Sequence, residues 1–342
     1  MKEKLLVIAI ILLSACSTRF YLTDNINLVQ LEPIAVFGED LKLPDAINTD
    51  ANSNIYVGDI GRILVFTPDF NFLKSIGQKG SGQLEFYDEV KGIAIDSKGR
   101  IIAVDEYNYR VQILSKDGVF LKEFGKRGWQ DGSFIDPQGV CVDDEDNIYV
   151  TDAHKMNVQK FSSDGEFILS FGGKPYRYEY TEMHKVDSKV MGKAFSKFDG
   201  IECIAYDDGK IFVSEENNGM IKVYDKSGNF LYSFGGQGIG KGKFHDQTEG
   251  LAFDNDGLLY VVDEGKSSTG AVQVYEASGK QLLVFESTHP FASPDGIAID
   301  KKRDLLFITD QNNFRIQVFD LKQIKSKIKK TICYGKDDLF RH

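Results

Sequence analysis

The chain has 342 residues, and 42% of them are hydrophobic, which is enough for the core of one large domain or two ordinary ones. Its formal net charge of −10 opposes contact with a phosphate backbone, and no basic face with interleaved aromatic residues occurs. We therefore expect no nucleic-acid partner.

The N-terminus has the features of a secretion signal. Lys2 and Lys4 precede an apolar run of nine residues, from Leu5 to Leu13. A membrane-spanning helix needs roughly 20 apolar residues, so this run fits a signal peptide better than a permanent span. The sequence LSAC, which ends at Cys16, resembles the lipobox of bacterial lipoproteins, in which the cysteine is acylated, for example with palmitate, and becomes the new N-terminus. An ordinary signal peptide cleaved nearby is the alternative.

This resemblance implies that residues 1–15 are removed and that Cys16 anchors the chain to a membrane, outside the cytoplasm. In a Gram-negative cell we expect the outer membrane. Residues 16–30 are expected to form the lipidated end and a polar tether. The remaining cysteines, Cys141, Cys203 and Cys333, are odd in number and irregular in spacing, so they predict no disulfide framework.

One module recurs along the rest of the chain with a period near 46 residues. Its clearest copies contain four short alternating runs separated by turn residues, which predicts four strands. Asp117-Gly118, Asp164-Gly165 and Ser227-Gly228 each stand between the third and fourth runs, where a hairpin turn needs a residue that tolerates positive φ. Six copies align on an acidic residue that ends the second strand: Asp59, Asp105, Asp152, Glu215, Asp263 and Asp310.

Four-stranded units at this period resemble NHL repeats, and the likeness covers residues 34–320. The Gly-His and Trp-Asp markers of WD40 repeats are missing. The resemblance implies an all-β, six-bladed β-propeller, expected over residues 31–335, with a tail at 336–342. An insert at 173–197 separates blades 3 and 4.

A propeller buries both faces of each sheet only when the ring closes. The sixth copy lacks an obvious fourth strand after Asp320, and the N-terminal segment Pro33 to Gly38 is expected to supply it. The segment Ile328 to Gly335 is a rival for this position.

The alignment also predicts a ring of residues at one mouth of the central channel. Each member precedes a small residue at the start of an inner strand: Asp45, Lys91, Gln138, Glu202, Glu249 and Asp295. Four carboxylates around a narrow opening create a focused negative potential that attracts cations. Lys91 argues against an ion, because it could neutralise Glu249 across the ring.

Six-bladed relatives such as the lactonase-like families and the amidating lyases hold a metal near this end of the channel. This resemblance implies a divalent cation such as calcium, with Glu202, Glu249 and Asp295 as ligands. The zinc-holding histidines of the lyases are absent from the ring. His154, His245 and His289 are predicted on the same face, but their spacing matches no zinc signature.

Two further segments are candidate binding surfaces. The insert contains Tyr176, Arg177, Tyr178 and Tyr180, and such residues are enriched at interface hot spots. A surface loop packed over blades 3 and 4 is the alternative. Near the C-terminus a basic run contains five lysines, which either contact anionic lipid or are simply solvated: Lys322, Lys325, Lys327, Lys329 and Lys330.

No catalytic residue can be assigned, because no nucleophile, paired-carboxylate or cofactor pattern appears. The preferred hypothesis is a monomeric, lipid-anchored binding or scaffold module that presents a loop-rich face to a protein, peptide or glycan. The alternative is a metal-dependent hydrolase or lyase that uses the acidic mouth, with Glu202 and Glu249 as ligands or general base.

Overall fold

The computed structural model describes residues 28–38, 40–172, 200–245, 247–265 and 270–337. Within these residues the chain forms six sheets, or blades, of four antiparallel strands, and one blade carries a fifth strand. The innermost strands of neighbouring blades contact one another around a full circle, so the blades surround a central channel. The predicted all-β, six-bladed propeller is therefore confirmed.

Strands are numbered in chain order, and within a blade they are called A to D from the channel outward. The first two strands are β1 (Leu28–Leu31) and β2 (Ala35–Phe37). Blades 1 to 3 contain, in order, β3 (Ile47–Thr49), β4 (Ile55–Asp59), β5 (Arg62–Phe66) and β6 (Phe72–Ile76); β9 (Val90–Ile95), β10 (Ile101–Asp105), β11 (Arg110–Leu114) and β12 (Phe120–Phe124); and β13 (Pro137–Val142), β14 (Ile148–Asp152), β15 (Asn157–Phe161) and β16 (Phe167–Gly172).

Blades 4 to 6 contain β17 (Ile201–Asp207), β18 (Lys210–Glu215), β19 (Met220–Asp225) and β20 (Phe230–Gly235); β21 (Thr248–Phe253), β22 (Leu258–Asp263), β23 (Ala271–Glu276) and β24 (Gln281–Ser287); and β25 (Pro294–Asp300), β26 (Leu305–Asp310) and β27 (Arg315–Asp320). A short parallel pair, β7 (Gln78–Lys79) and β8 (Glu85–Phe86), lies in the linker between blades 1 and 2. Helix α1 (Leu321–Asp337) follows β27.

The hydrophobic core lies between the blades. All five residues of β4 are buried, as are all five of β14, because both faces of each sheet carry apolar side chains. Ile63 and Val65 of blade 1 share one cluster with Val90 and Ile101 of blade 2. Each such side chain contributes about 1.5–3 kcal/mol when fully buried. An open array would leave two end faces exposed, so burial favours the closed ring.

The turns between strands C and D adopt the predicted geometry. Gly118, Gly165 and Gly228 have φ values of +84°, +80° and +81°, in the left-handed region that favours glycine. At Gly165 a Cβ would also lie only 2.4 Å from a ring atom of Phe124 on the neighbouring blade. Glycine is therefore required there by both conformation and space.

The N-terminal strand closes the ring. Strand β2 pairs antiparallel with β27 and supplies strand D of blade 6, with Ala35 opposite Val318 and Phe37 opposite Ile316. The expectation that the segment around Pro33 to Gly38 completes the sixth blade is confirmed.

The rival closing segment, residues 328–335, is not a strand, because it belongs to helix α1. Leu321, Ile324 and Ile328 recur at helical spacing, and all three are buried against blades 5 and 6. This apolar stripe selects a helix over an extended strand. Among the described residues, no helix has the length and apolar character that a membrane span requires.

Strand β1 was not anticipated. It pairs in parallel with the outer edge of β24, with Leu28 opposite Val284 and Leu31 opposite Ser287. Leu31 is 2% exposed, so the strand is held by burial as well as by backbone hydrogen bonds. Residues 28–30, which were expected to belong to the tether, therefore form part of this strand. The C-terminal boundary of the propeller was expected at residue 335, but helix α1 continues to Asp337.

Candidate functional site

The six A strands begin at one face of the propeller, here called the mouth face. The opposite face, which carries the A–B and C–D turns, is called the turn face. The six predicted ring residues all line one cavity of about 390 Å³ at the mouth: Asp45, Lys91, Gln138, Glu202, Glu249 and Asp295.

The cavity contains three carboxylates that the sequence alignment missed, Glu89, Glu216 and Glu264. Glu216 and Glu264 directly follow the acidic residues that end strand B, so the same repeat alignment could have found them one position later. Among the lining residues, seven carboxylates therefore surround one lysine.

Small residues follow the ring positions because the inner strands approach closely. A Cβ at Gly250 would lie 2.6 Å from the carbonyl oxygen of Asp295 in the next blade. The Thr151 hydroxyl donates to the carbonyl oxygen of Glu202 at 2.7 Å and accepts from the Gly139 N–H at 2.8 Å. Strand B thus links neighbouring inner strands and holds the ring residues at a common height.

Lys91 pairs with its neighbours rather than across the channel. Its Nζ lies 2.6 Å from Asp45 Oδ2 and 2.8 Å from Glu89 Oε2. The expected neutralisation of Glu249 by Lys91 is therefore wrong. Burial alone would lower the pKa of Lys91, but the carboxylates of Asp45, Asp295 and Glu89 raise it well above its usual value, so the ammonium stays charged.

The remaining carboxyl groups are held in an unfavourable environment for negative charge. Burial raises the pKa of Glu202 to about 8, and Asp295 and Glu216 add repulsion while Lys91 opposes it. Burial and the charges of Asp295 and Glu202 raise the pKa of Glu249 well above its usual range. These groups repel one another, so they share protons and titrate as a set.

The structure does not gather the predicted ligands into a metal site. Glu202, Glu249 and Asp295 line the cavity, but among the described residues no group of three His, Cys, Asp or Glu side chains is placed to hold a metal. The A strands hold these carboxylates in different blades around an open channel. The expected three-carboxylate calcium set is therefore not formed.

The three histidines contact three different carboxylates. His154 Nδ1 lies 2.6 Å from Asp136 Oδ2, His245 Nδ1 lies 3.4 Å from Asp263 Oδ2, and His289 Nε2 lies 3.6 Å from Glu32 Oε1. Within the described ranges they do not form a zinc cluster.

The acidic residues that end strand B have structural contacts. Asp59 Oδ1 accepts hydrogen bonds from the backbone N–H groups of Lys42 and Leu43, in the segment that leads into blade 1. Asp105 is fully buried, pairs with Arg110 at 2.9 Å and accepts from the Tyr87 N–H. These two carboxylates bind the linkers that lead into blades 1 and 2, in agreement with a structural interpretation of their recurrence.

Three exposed aromatic residues on the mouth face, Tyr87, Tyr107 and Trp129, are here called the aromatic rim and were not recognised as a group in the sequence. Tyr87 and Tyr107 are 51% and 50% exposed, with ring centroids 6.1 Å apart. The charge of the adjacent Glu106, together with burial and the charge of the cavity residue Glu89, raises the pKa of Tyr107. Trp129, 51% exposed, lies in the next linker on the same face.

Several predicted residues lie outside the described part of the chain. They are the lipidation site Cys16 and the insert residues Tyr176, Arg177, Tyr178 and Tyr180.

The fold defines the chain as a six-bladed β-propeller. The model of the NHL repeat family matches residues 134–161 and 291–319, which lie in blades 3 and 6. Together with the six repeated blades, this match supports the NHL-repeat propeller family for this chain. Such a fold supports a binding or scaffold module, and it also occurs in enzymes.

Among curated proteins, the chain is 27% identical over 131 residues to Protein brain tumor of Drosophila melanogaster. This match covers 38% of the present chain and 12% of that protein, so the chain corresponds to a small portion of its length.

Solved structures with this fold include a streptogramin B lyase, with a TM-score of 0.55 and 16% identity over 84% of this chain and 86% of that one. A hydrazine synthase from Kuenenia stuttgartiensis gives 0.57 and 13%, over 88% and 84% of the two chains. A catalytically inactive virginiamycin B lyase from Staphylococcus aureus, solved with quinupristin, gives 0.54 and 16% over 84% and 88%. At such identities the likeness shows the fold alone.

Proposed function

We propose that this chain is a lipid-anchored, extracytoplasmic binding module whose mouth face takes a peptide or protein ligand with a cationic side chain. The observation that carries this proposal is the cavity of about 390 Å³, in which seven carboxylates surround one lysine that is already paired. A cavity of this kind focuses negative potential, and an ammonium or guanidinium group supplies the missing positive charge.

Two carboxylates are available for this contact. Among the described residues, the side chains of Glu202 and Glu249 have no hydrogen-bond or ion-pair partner, although both line the cavity. Burying them without a partner is costly, and burial is the main cause of their raised pKa values. A guanidinium group donates five hydrogen bonds in a planar fork and matches a pair of carboxyl groups. Its positive charge lowers their pKa values, so both groups ionise when it binds.

The aromatic rim supports a peptide rather than a free inorganic cation. Tyr87, Tyr107 and Trp129 present large exposed rings on the same face as the cavity. Tyrosine and tryptophan dominate interface hot spots, and their ring faces attract cations. A ligand that spans the rim and the cavity engages both features.

The probe for this proposal is a capped tripeptide, acetyl-glycyl-arginyl-glycinamide, with its citrulline counterpart as a neutral isostere. We expect the arginine peptide to bind at least tenfold more tightly than the citrulline peptide in calorimetric titrations. Replacement Glu249→Gln should reduce arginine binding at least tenfold. The matched control, Glu166→Gln, removes a glutamate with a 78% exposed side chain and should change nothing. Equal binding of the two peptides would refute the proposal.

The predicted second contact is the insert that contains Tyr176, Arg177, Tyr178 and Tyr180. Replacing the three tyrosines with serine should weaken binding of a natural partner but not of the short probe, because the probe is confined to the cavity. Unchanged binding of the natural partner would show that the insert is not part of the binding surface.

The anchor is tested separately through Cys16. Labelled palmitate should enter the full chain in a bacterial host and be lost in Cys16→Ser, which should also move the protein to the soluble fraction. Membrane retention of the unlabelled variant would contradict the lipid anchor.

A metal-dependent hydrolase or lyase is the second candidate. It is favoured by Glu202, whose pKa of about 8 keeps a proton available at neutral pH at the cavity wall, as a general acid requires. Metal analysis of the purified chain should find almost no metal if the cavity binds organic cations. One tightly bound ion that is lost in the Glu202→Ala, Glu249→Ala double variant would favour the enzyme.

A further inference from the structure

The C-terminal helix α1 carries a positive charge that contrasts with the rest of the molecule. Between residues 321 and 331 it contains five lysines and no carboxylate, in a chain with a net charge of −10. Its apolar stripe, Leu321, Ile324 and Ile328, is buried in one cluster with Leu282 and Phe285 of β24. The opposite side of the helix is therefore presented to solvent by packing.

Ion pairs place this helix on the turn face. Lys325 Nζ lies 3.0 Å from Asp254 Oδ2 and 2.6 Å from Asp256 Oδ2, both in the A–B turn of blade 5. Lys322 Nζ lies 3.9 Å from Asp304 Oδ2 in the A–B turn of blade 6. The helix thus spans the turn ends of two blades, on the side opposite the acidic cavity.

The lysines further along helix α1 do not pair with the aspartates of the A–B turns. Lys329 and Lys330 are exposed and Lys327 is half-buried, and in the described part of the chain none of the three forms an ion pair. Lys301 and Lys302 are exposed in the A–B turn of blade 6. We call these five residues, Lys301, Lys302, Lys327, Lys329 and Lys330, the basic patch.

The N-terminal end of the fold approaches the same side. Strand β24 starts at the turn face and ends at the mouth face, and β1 runs parallel to it. Leu28 therefore stands at the end of β1 nearer the turn face, beside β24, which helix α1 also contacts. Eleven residues lie between Cys16 and Leu28, and the twelve steps from one to the other span at most about 40 Å.

We propose that the basic patch rests on an anionic phospholipid surface beside the lipid anchor, so that the propeller holds its acidic mouth away from the membrane. The proposal rests on the lipid anchor suggested for Cys16 under the proposed function. A short connection keeps the propeller within reach of the bilayer, and its turn face near blades 5 and 6 offers the lysines that anionic headgroups attract. The acidic mouth is repelled by the same surface, so both ends of the molecule favour one orientation.

The first experiment measures vesicle binding of residues 17–342, which retain every described residue but cannot be acylated at Cys16. We expect binding to phosphatidylcholine vesicles that contain 30% phosphatidylglycerol at low salt, and none to pure phosphatidylcholine. The triple variant Lys327→Gln, Lys329→Gln, Lys330→Gln should bind about 100-fold more weakly, since each lysine near an anionic surface contributes about a fivefold effect.

The matched control removes the same charge elsewhere. Lys42, Lys126 and Lys241 are exposed and lie in the blade-to-blade linkers on the mouth face, so their replacement with glutamine should leave vesicle binding unchanged. Equal losses in both triple variants would reduce the effect to net charge, and equal binding of the helix variant and the parent would overturn the proposal. Unchanged urea midpoints confirm that both variants are folded.

The second experiment measures orientation in the anchored full chain. Trp129 is the only tryptophan in the sequence and lies on the mouth face, so brominated lipids should leave its fluorescence unquenched. In a Trp129→Phe background, a tryptophan introduced by Ser326→Trp on the exposed side of helix α1 should be quenched. Quenching of Trp129, without quenching of the tryptophan introduced by Ser326→Trp, would show that the mouth faces the membrane and would refute the proposal.

The two proposals fail separately. Loss of palmitate labelling would remove the anchor but leave the vesicle experiment on residues 17–342 valid. Failure of the arginine peptide to bind would refute the proposed cationic ligand but would not affect either membrane measurement.

Discussion

Replacement of Glu202 with glutamine should stabilise the protein, and the gain should grow as the pH rises. Burial raises the pKa of this carboxyl from its ordinary value of 4.5 to about 8 in the folded chain. Between these two values the folded state keeps a proton that the unfolded state has lost. The carboxyl therefore costs no stability below pH 4.5, and its cost rises until the pH passes 8.

The size of the effect follows from the same shift. One proton contributes about 1.4 kcal/mol for each pH unit, so the cost of Glu202 reaches about 5 kcal/mol at pH 9, as an upper value. Glutamine has nearly the same shape and no charge, and it avoids this cost. Neighbouring carboxyls titrate together with Glu202, so the variant changes the proton uptake of the set by one.

The assay is urea unfolding of the parent and of Glu202→Gln at whole pH values from 5 to 9. We expect nearly equal unfolding free energies at pH 5 and an advantage of about 3–5 kcal/mol for the variant at pH 9. The surface control Glu166→Gln should show no trend with pH, because its side chain is 78% exposed. A constant difference between variant and parent, or one that shrinks as the pH rises, would refute a protonated Glu202.

Three other substitutions test the packing that positions the site. Gly165→Ala should destabilise the protein by about 1–3 kcal/mol in urea unfolding, because φ is +80° and a phenyl ring lies against the new methyl group; an unchanged midpoint would contradict the turn geometry. Arg110→Met should cost about 3–5 kcal/mol, since it leaves the carboxylate of Asp105 buried without its cation, and the loss should shrink in acid if that is the cause. Ile324→Ala should cost about 2–5 kcal/mol and increase hydrogen exchange in helix α1 first, whereas exchange that rises equally in all blades would show that the helix does not unfold by itself.

The repeat made the fold predictable from the sequence. Every blade needs the same turns and strand ends. Glycines at equivalent turn positions and acidic residues at the end of each strand B therefore recur, and their spacing predicted the number of blades. The position of the ring residues, from Asp45 to Asp295, followed from the same alignment, since equivalent positions in a propeller lie at equal height around the channel.

The ion-pair partners of Lys91 and the conformation of the C-terminal segment depend on the tertiary structure. The sequence could not show that Lys91 turns to Asp45 and Glu89 within its own neighbourhood, because the direction of a long side chain depends on which strands lie beside it. Nor could it show that residues 328–335 form a helix, since a short apolar pattern fits either structure until its burial partner is known.

The amino-acid sequence by itself therefore determined the repeated units and the identity of the acidic mouth, because both depend on spacing along the chain. The tertiary structure determined that the first strands and the last helix of the described chain pack on blades 5 and 6, and that seven carboxylates share one cavity. Those features depend on distances between residues far apart in sequence, which exist only after the ring has closed.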